Sequence, residues 1–168
     1  MRTKYIPIRL SGRAEGTEEL SFSVEPSEIQ LPKEFSAPLT VLVHLDVSHD
    51  QIVLRVDVRG EAVYPCDRCL DPVPLPVETR FYLVYTSGGA DDIAIDADDV
   101  RMIDHNDPVA DLADDVRDAA MLCIPMRKIC GEDEHGNALC RTTIPDHLNA
   151  DAQEKSDPRW DALKSLKL

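Results

Sequence analysis

Cys66 and Cys69 stand two residues apart in Tyr64-Pro65-Cys66-Asp67-Arg68-Cys69-Leu70-Asp71-Pro72, and the other cysteines are Cys123, Cys130 and Cys140. Two thiols at this spacing can aim both sulfurs at one metal ion, or they can close a redox disulfide. Redox use calls for a helix N-terminus beside the pair, whose dipole lowers a thiol pKa. Pro72, Pro74 and Pro76 oppose a helix there, and both flanks read as strands. Metal use calls for further ligands. Cys130 and Cys140 supply them, closing a tetrahedral, four-thiolate Zn²⁺ site of structural type with no open position for catalysis. Arg68 and the amides of the turn would offset the thiolate charge. The second pair has nine intervening residues, unlike the second C-x-x-C of a simple zinc ribbon. His135 lies inside that interval and His147 beyond it, and either could replace a thiol. Spacing alone leaves three uses open: zinc, redox and unligated cysteines.

Other catalytic signatures are absent. The chain has no G-x-S-x-G, no P-loop, no dinucleotide glycine fingerprint and no H-E-x-x-H. His44 falls on the back of a strand among apolar neighbours, a packing or solvent-tip position rather than a catalytic one. The expectation is a non-enzyme with no small-molecule substrate.

The elements that must position the cysteines are mainly strands. Ile6, Ile8 and Leu10 alternate, Gly12 and Gly16 bracket a turn, and Leu20, Phe22 and Val24 alternate again before Pro26. Val41, Val43, Leu45 and Val47 share one face, as do Ile52, Leu54, Val56 and Val58 after Ser48-His49-Asp50-Gln51, which predicts a hairpin. The second strand is expected to continue past Gly60 through a bulge, with Ala62 and Tyr64 leading to the cysteine turn. Val77, Thr79, Phe81, Leu83 and Tyr85 alternate on the strand beyond it. Asp107-Pro108 reads as the start of a long helix, Asp capping and Pro in the first turn. Val109, Leu112, Val116, Ala119, Ala120 and Cys123 recur along its buried stripe, making Cys123 a core thiol, and Pro125 ends it. A short final helix is expected from Asp157-Pro158, with Trp160, Leu163 and Leu166 on one face.

Composition bounds the partners. The 168 residues fit one domain, and the net charge is −14. Between Asp91 and Asp118 stand eleven Asp against only Arg101 and Arg117. The first part of this stretch lacks the Gly and terminal Glu of a calcium loop. Strand character at Ile93 and Ile95 marks an exposed excursion over about 87–106, and a polar tail follows from about 141 to 168. So acidic a surface repels phosphate backbones and suits a basic protein. No apolar run approaches the roughly 20 residues that span a bilayer. The start of the chain has no signal-peptide or transit-peptide character, so a cytoplasmic, reducing setting is expected.

Cys66-Asp67-Arg68-Cys69-Leu70 after a strand resembles the C-x-R-C-L motif of the YceD family. The helix end Ala119-Ala120-Met121-Leu122-Cys123-Ile124-Pro125 and the closing Asp157-Pro158-Arg159-Trp160-Asp161-Ala162-Leu163 are similar to that family's, over about residues 20–168. The resemblance implies a non-enzymatic role in large-subunit ribosomal RNA accumulation, linked to a large-subunit ribosomal protein. It also implies that Cys130 and Cys140 complete the metal site, although this chain lacks the compact second C-x-x-C of some members.

The expected architecture is one α+β domain over 1–168. It has a mostly antiparallel sheet or partial barrel, one long helix, a C-x-x-C knuckle and a short C-terminal helix. The expected partner is a basic ribosomal protein or large-subunit assembly intermediate, with rRNA contacted indirectly. A direct RNA-binding zinc module is the alternative, and a thiol oxidoreductase the less favoured one.

Overall fold

The computed structural model describes residues 6–86, 100–104, 108–131, 134 and 139–140. Ile93, Ile95, Asp107, His135, His147 and the expected final helix with Trp160, Leu163 and Leu166 lie outside the described residues.

Five strands form one open sheet in the order β2-β3-β4-β5-β6: β2 (Gly16–Val24), β3 (Leu39–Val47), β4 (Gln51–Pro65), β5 (Pro72–Thr86) and β6 (Val100–Met102). Every pairing is antiparallel except β5 with β6, which is parallel. A second, two-stranded sheet joins β1 (Pro7–Arg9) to β7 (Val109–Asp111), and helix α1 (Ala113–Cys123) follows directly. Among the described residues the sheet does not close into a barrel.

The β3–β4 hairpin follows its alternation. Val41 faces Val58, Val43 faces Val56, Leu45 faces Leu54 and Val47 faces Ile52. All eight side chains are buried. Full burial of side chains of this size stabilises by about 1.5–3 kcal/mol each, and a one-residue slip would turn the whole set to solvent. Ile6 and Ile8 from the N-terminal segment, Ile29, Leu31 and Phe35 from the β2–β3 connection, and Leu112, Val116 and Ala120 from the helical segment complete this core.

The expected bulge at Gly60 is not there. β4 and β5 pair residue for residue from Gln51 with Thr86 to Pro65 with Pro72, and Gly60 sits in register opposite Val77. A Cβ at Gly60 would lie 2.5 Å from Leu39 Cδ2, and Leu39 is fully buried. Glycine is required for close approach, not for a kink.

Pro72, Pro74 and Pro76 are compatible with β5 because they alternate. Successive residues turn their N–H groups to opposite sides of a strand, so the missing donors share one side and the ladder to β4 survives. On its other side, among the described residues, β5 pairs only through Val84–Thr86 with β6. The prolines thus leave the first half of β5 with an edge that cannot accept another strand.

The helix begins later than Asp107-Pro108 predicts. Val109–Asp111 pairs with β1 instead, and the first helical residue is Ala113. Asp111 Oδ1 accepts hydrogen bonds from the Ile6 amide at 2.9 Å and the Ala113 amide at 3.2 Å, so a carboxylate one residue before the N-cap Leu112 satisfies the first helical amide, while Leu112 itself offers no capping side chain. Strand pairing with a distant segment outweighs the local start signal. The helix therefore has 11 residues, an ordinary length. It ends before Pro125, as expected. Val116 and Ala120 are buried, whereas Cys123 is half-buried at the rim, its Sγ 3.5 Å from the Glu78 carbonyl oxygen. Arg101 on β6 clamps the helix through both guanidinium nitrogens, 2.5 and 2.9 Å from the Asp115 carboxylate.

Candidate metal centre

The β4–β5 hairpin ends in the turn that carries the first thiol pair. The Cys66 amide donates to the Asp71 carbonyl at 2.8 Å and the Leu70 amide donates back to the Cys66 carbonyl at 3.0 Å. Leu70 closes the turn at φ 65°, a left-handed conformation that costs a leucine about 1–2 kcal/mol. Its side chain points outward and is 77% exposed. The Arg68 amide meets Cys66 Sγ at 3.4 Å, so the turn aims a backbone dipole at this sulfur.

The second pair arrives on the segment after the helix. Asp67 and Lys128 lock it to the turn: the Asp67 amide donates to the Lys128 carbonyl at 2.7 Å, and the Lys128 amide donates to Asp67 Oδ2 at 2.6 Å. Lys128 Nζ lies 3.8 Å from Asp67 Oδ1 and 5.8 Å from the centre of the Tyr64 ring. Farther on, the Leu139 amide donates to the Gly131 carbonyl at 3.1 Å, returning the chain to Cys140.

These contacts gather the sulfurs of Cys66, Cys69, Cys130 and Cys140 within 4.8 Å of one another. Cys69 and Cys130 are 3.4 Å apart, Cys66 and Cys140 3.8 Å. A tetrahedron of thiolates with metal–sulfur bonds of about 2.3 Å has edges of about 3.8 Å, so the cluster has the size of such a coordination shell. All five cysteines are free thiols. Cys66 is buried and the other three ligand candidates are half-buried. Cys123 stands apart on the helix, and His135 and His147 fall outside the described residues.

The electrostatics suit a cation. The amides of Cys69 and Arg68 lower the Cys66 thiol from its ordinary value to about 6, against the opposing effect of burial. At Cys69 the Asp71 amide favours the thiolate, but burial and the Cys130, Cys66 and Cys140 sulfurs push the thiol upward. At Cys130 the hydrogen bond from Cys69 favours the thiolate, and burial with the Cys66 and Cys140 sulfurs again wins. Crowded sulfurs resist ionising together, and a bound cation removes that penalty. The four residues can hold a metal ion.

Sequence reasoning missed the Asp67–Lys128 clasp. Its trace in the sequence is an acid inside the first pair and a base two residues before Cys130, which gains meaning only once the two segments are adjacent.

Elsewhere the described residues offer no competing chemistry of comparable geometry. On the outer sheet face Glu19, His44, Arg55 and Tyr82 form one cross-strand row beside a hollow of about 470 Å³. His44 Nδ1 lies 3.0 Å from Glu19 Oε2 and its Nε2 3.8 Å from Asp57 Oδ2, while Arg80 Nε takes Asp57 Oδ1 at 2.6 Å. The hydroxyl side chains that line this hollow are those of Thr17 and Tyr82, both exposed. No described helix is long and apolar enough to cross a membrane.

Fold and site together define an open-sheet α+β protein whose hairpin tip and post-helical segment bring four thiols together. The family model described as "Large ribosomal RNA subunit accumulation protein YceD" matches residues 54–167, and the chain belongs to that family. The match starts within β4 and contains both cysteine pairs. An uncharacterized protein of Bacillus subtilis (strain 168), YlbN, is 27% identical over 132 residues, covering 77% of this chain and 74% of the relative. No solved structure matches the chain.

Proposed function

We propose that this protein is a non-enzymatic ribosome-biogenesis factor that supports accumulation of large-subunit rRNA. It acts through a basic ribosomal protein or a large-subunit assembly intermediate, and a structural Zn²⁺ held by Cys66, Cys69, Cys130 and Cys140 clasps the binding surface together. The observation that carries the reading is that the matched YceD region contains all four clustered cysteines. Thiolates from all four would complete the coordination shell, which favours a structural ion over a catalytic one. The net charge of −14 favours a basic protein as the direct contact, with rRNA reached through it.

The test is depletion of the protein followed by measurement of large- against small-subunit rRNA. Large-subunit rRNA should fall selectively and recover with the wild-type chain. Equal loss of both rRNAs, or no loss, overturns the reading. Capture of native partners at low and high salt tests the second part. A basic protein should be retained at low salt and released as salt rises. Retention of naked rRNA with no protein would instead select the direct RNA-binding module.

A further inference from the structure

The four-thiol cluster has a second chemistry that depends on which sulfurs face each other. Within a cluster whose sulfurs all lie within 4.8 Å of one another, two contacts join the hairpin turn to the post-helical arm: Cys69 with Cys130 at 3.4 Å and Cys66 with Cys140 at 3.8 Å. A disulfide needs its sulfurs about 2.0 Å apart, so each pair requires a closure of less than two ångströms. The partners are 61 and 74 residues apart in sequence, and the Asp67–Lys128 hydrogen bonds hold the two arms in place.

We propose that the cluster is an oxidation-sensitive clasp. Peroxide converts it to two crossed disulfides, Cys69–Cys130 and Cys66–Cys140, and any metal ion held there is released. The release rests on the zinc reading above; the connectivity does not. Each peroxide accepts two electrons from one pair of sulfurs. A thiolate attacks the peroxide to give a sulfenic acid, whose hydroxyl leaves as water when the partner sulfur forms the S–S bond. Two peroxides and four protons thus consume four thiolates, giving two disulfides and four waters. Disulfide sulfurs are poor ligands, so the ion departs as the free cation.

The crossed pattern has a structural consequence that the sequential one lacks. Crossed bonds staple the arm to the turn and keep the clasp shut after the metal has gone. Sequential bonds, Cys66 to Cys69 and Cys130 to Cys140, would put no covalent link between the arm and the turn.

The test treats purified, reduced full-length protein with hydrogen peroxide. Zinc is assayed before and after, residual thiols are blocked, and the unreduced protein is mapped after trypsin and a glutamate-specific protease. Cleavage after Arg68 separates Cys66 from Cys69, and cleavage after Glu132 or Glu134 separates Cys130 from Cys140. The expected result is Cys69 linked to Cys130 and Cys66 linked to Cys140. Free thiols should fall from five to one, with Cys123 remaining. The oxidised chain should also melt higher than reduced, metal-free protein. Sequential linkages, disulfides between chains, or thiols that persist under peroxide that oxidises free glutathione overturn the proposal. If the reduced protein holds no zinc, the metal reading falls while the linkage map still decides this one. In Cys140→Ser, Cys69–Cys130 should still form and Cys66 should remain unlinked; a Cys66–Cys69 bond there also counts against it.

Discussion

Asp67 and Lys128 exchange two backbone-anchored hydrogen bonds, amide to carbonyl at 2.7 Å and amide to carboxylate at 2.6 Å, across 61 residues of sequence. This reciprocal contact brings the post-helical arm to the hairpin tip and places Cys130 against Cys69.

Removing that carboxylate should weaken metal binding without removing a ligand. Asp67→Ala leaves the Lys128 amide without its acceptor, and loss of such outer-shell support costs roughly 10- to 100-fold in affinity. Competition with a chromophoric chelator measures it. Asp67→Asn keeps an acceptor oxygen and should lose less; equal loss in both variants would assign the effect to charge instead.

Chelation should loosen the clasp and spare the sheet. The β3–β4 core lies outside the sulfur cluster, so metal removal or Cys66→Ser should leave the strand circular dichroism largely intact. Hydrogen exchange should rise at 66–71 and 125–131. Global unfolding on chelation would mean that the core depends on the ion.

In metal-free protein one thiol should ionise early. Thiolate ultraviolet absorbance should show a step near pH 6 that disappears in Cys66→Ser. Because the folded value lies below the ordinary thiol value, ionisation of Cys66 favours the folded state at alkaline pH. That contribution is lost as pH falls through about 6. With metal bound the step should move to lower pH, since the ion competes with protons.

Gly60→Ala should destabilise the sheet by about 1–3 kcal/mol, the usual cost of overpacking a filled core. The added methyl would meet Leu39 Cδ2 at 2.5 Å, and the buried Leu39 has little room to retreat. Denaturant titration of Gly60→Ala, Leu39→Ala and the double variant would check it. The double variant should be more stable than the sum of the single losses predicts. Strict additivity would rule out the contact.

Leu70 separates stability from surface use. An exposed leucine at φ 65° gains little from packing, so Leu70→Asn, which tolerates this backbone, should be neutral or stabilise by up to about 1 kcal/mol. Thermal melts decide this. A marked loss of stability would mean that the Leu70 side chain is covered.

Much of the sheet was legible because its side chains have period two. The alternation from Val41 to Val58 predicts both the hairpin and its buried face, and the core follows it. The helix start was misread because Asp107-Pro108 is a local signal, whereas the β1–β7 pairing joins residues about a hundred positions apart. Gly60 was misread for a similar reason: a glycine in a strand suggests a bulge until the facing Leu39 is known.

The sequence by itself determined the thiols available, the turn that pairs Cys66 with Cys69, the apolar faces of the strands and the acidic charge. Those properties are local or additive, so residue order suffices to read them. Only the tertiary structure decided that Cys130 and Cys140 meet that turn, and which sulfur faces which. That choice depends on where the helix ends and on the grip of Asp67 on Lys128, contacts whose partners lie tens of residues apart. Local spacing carries no information about such contacts.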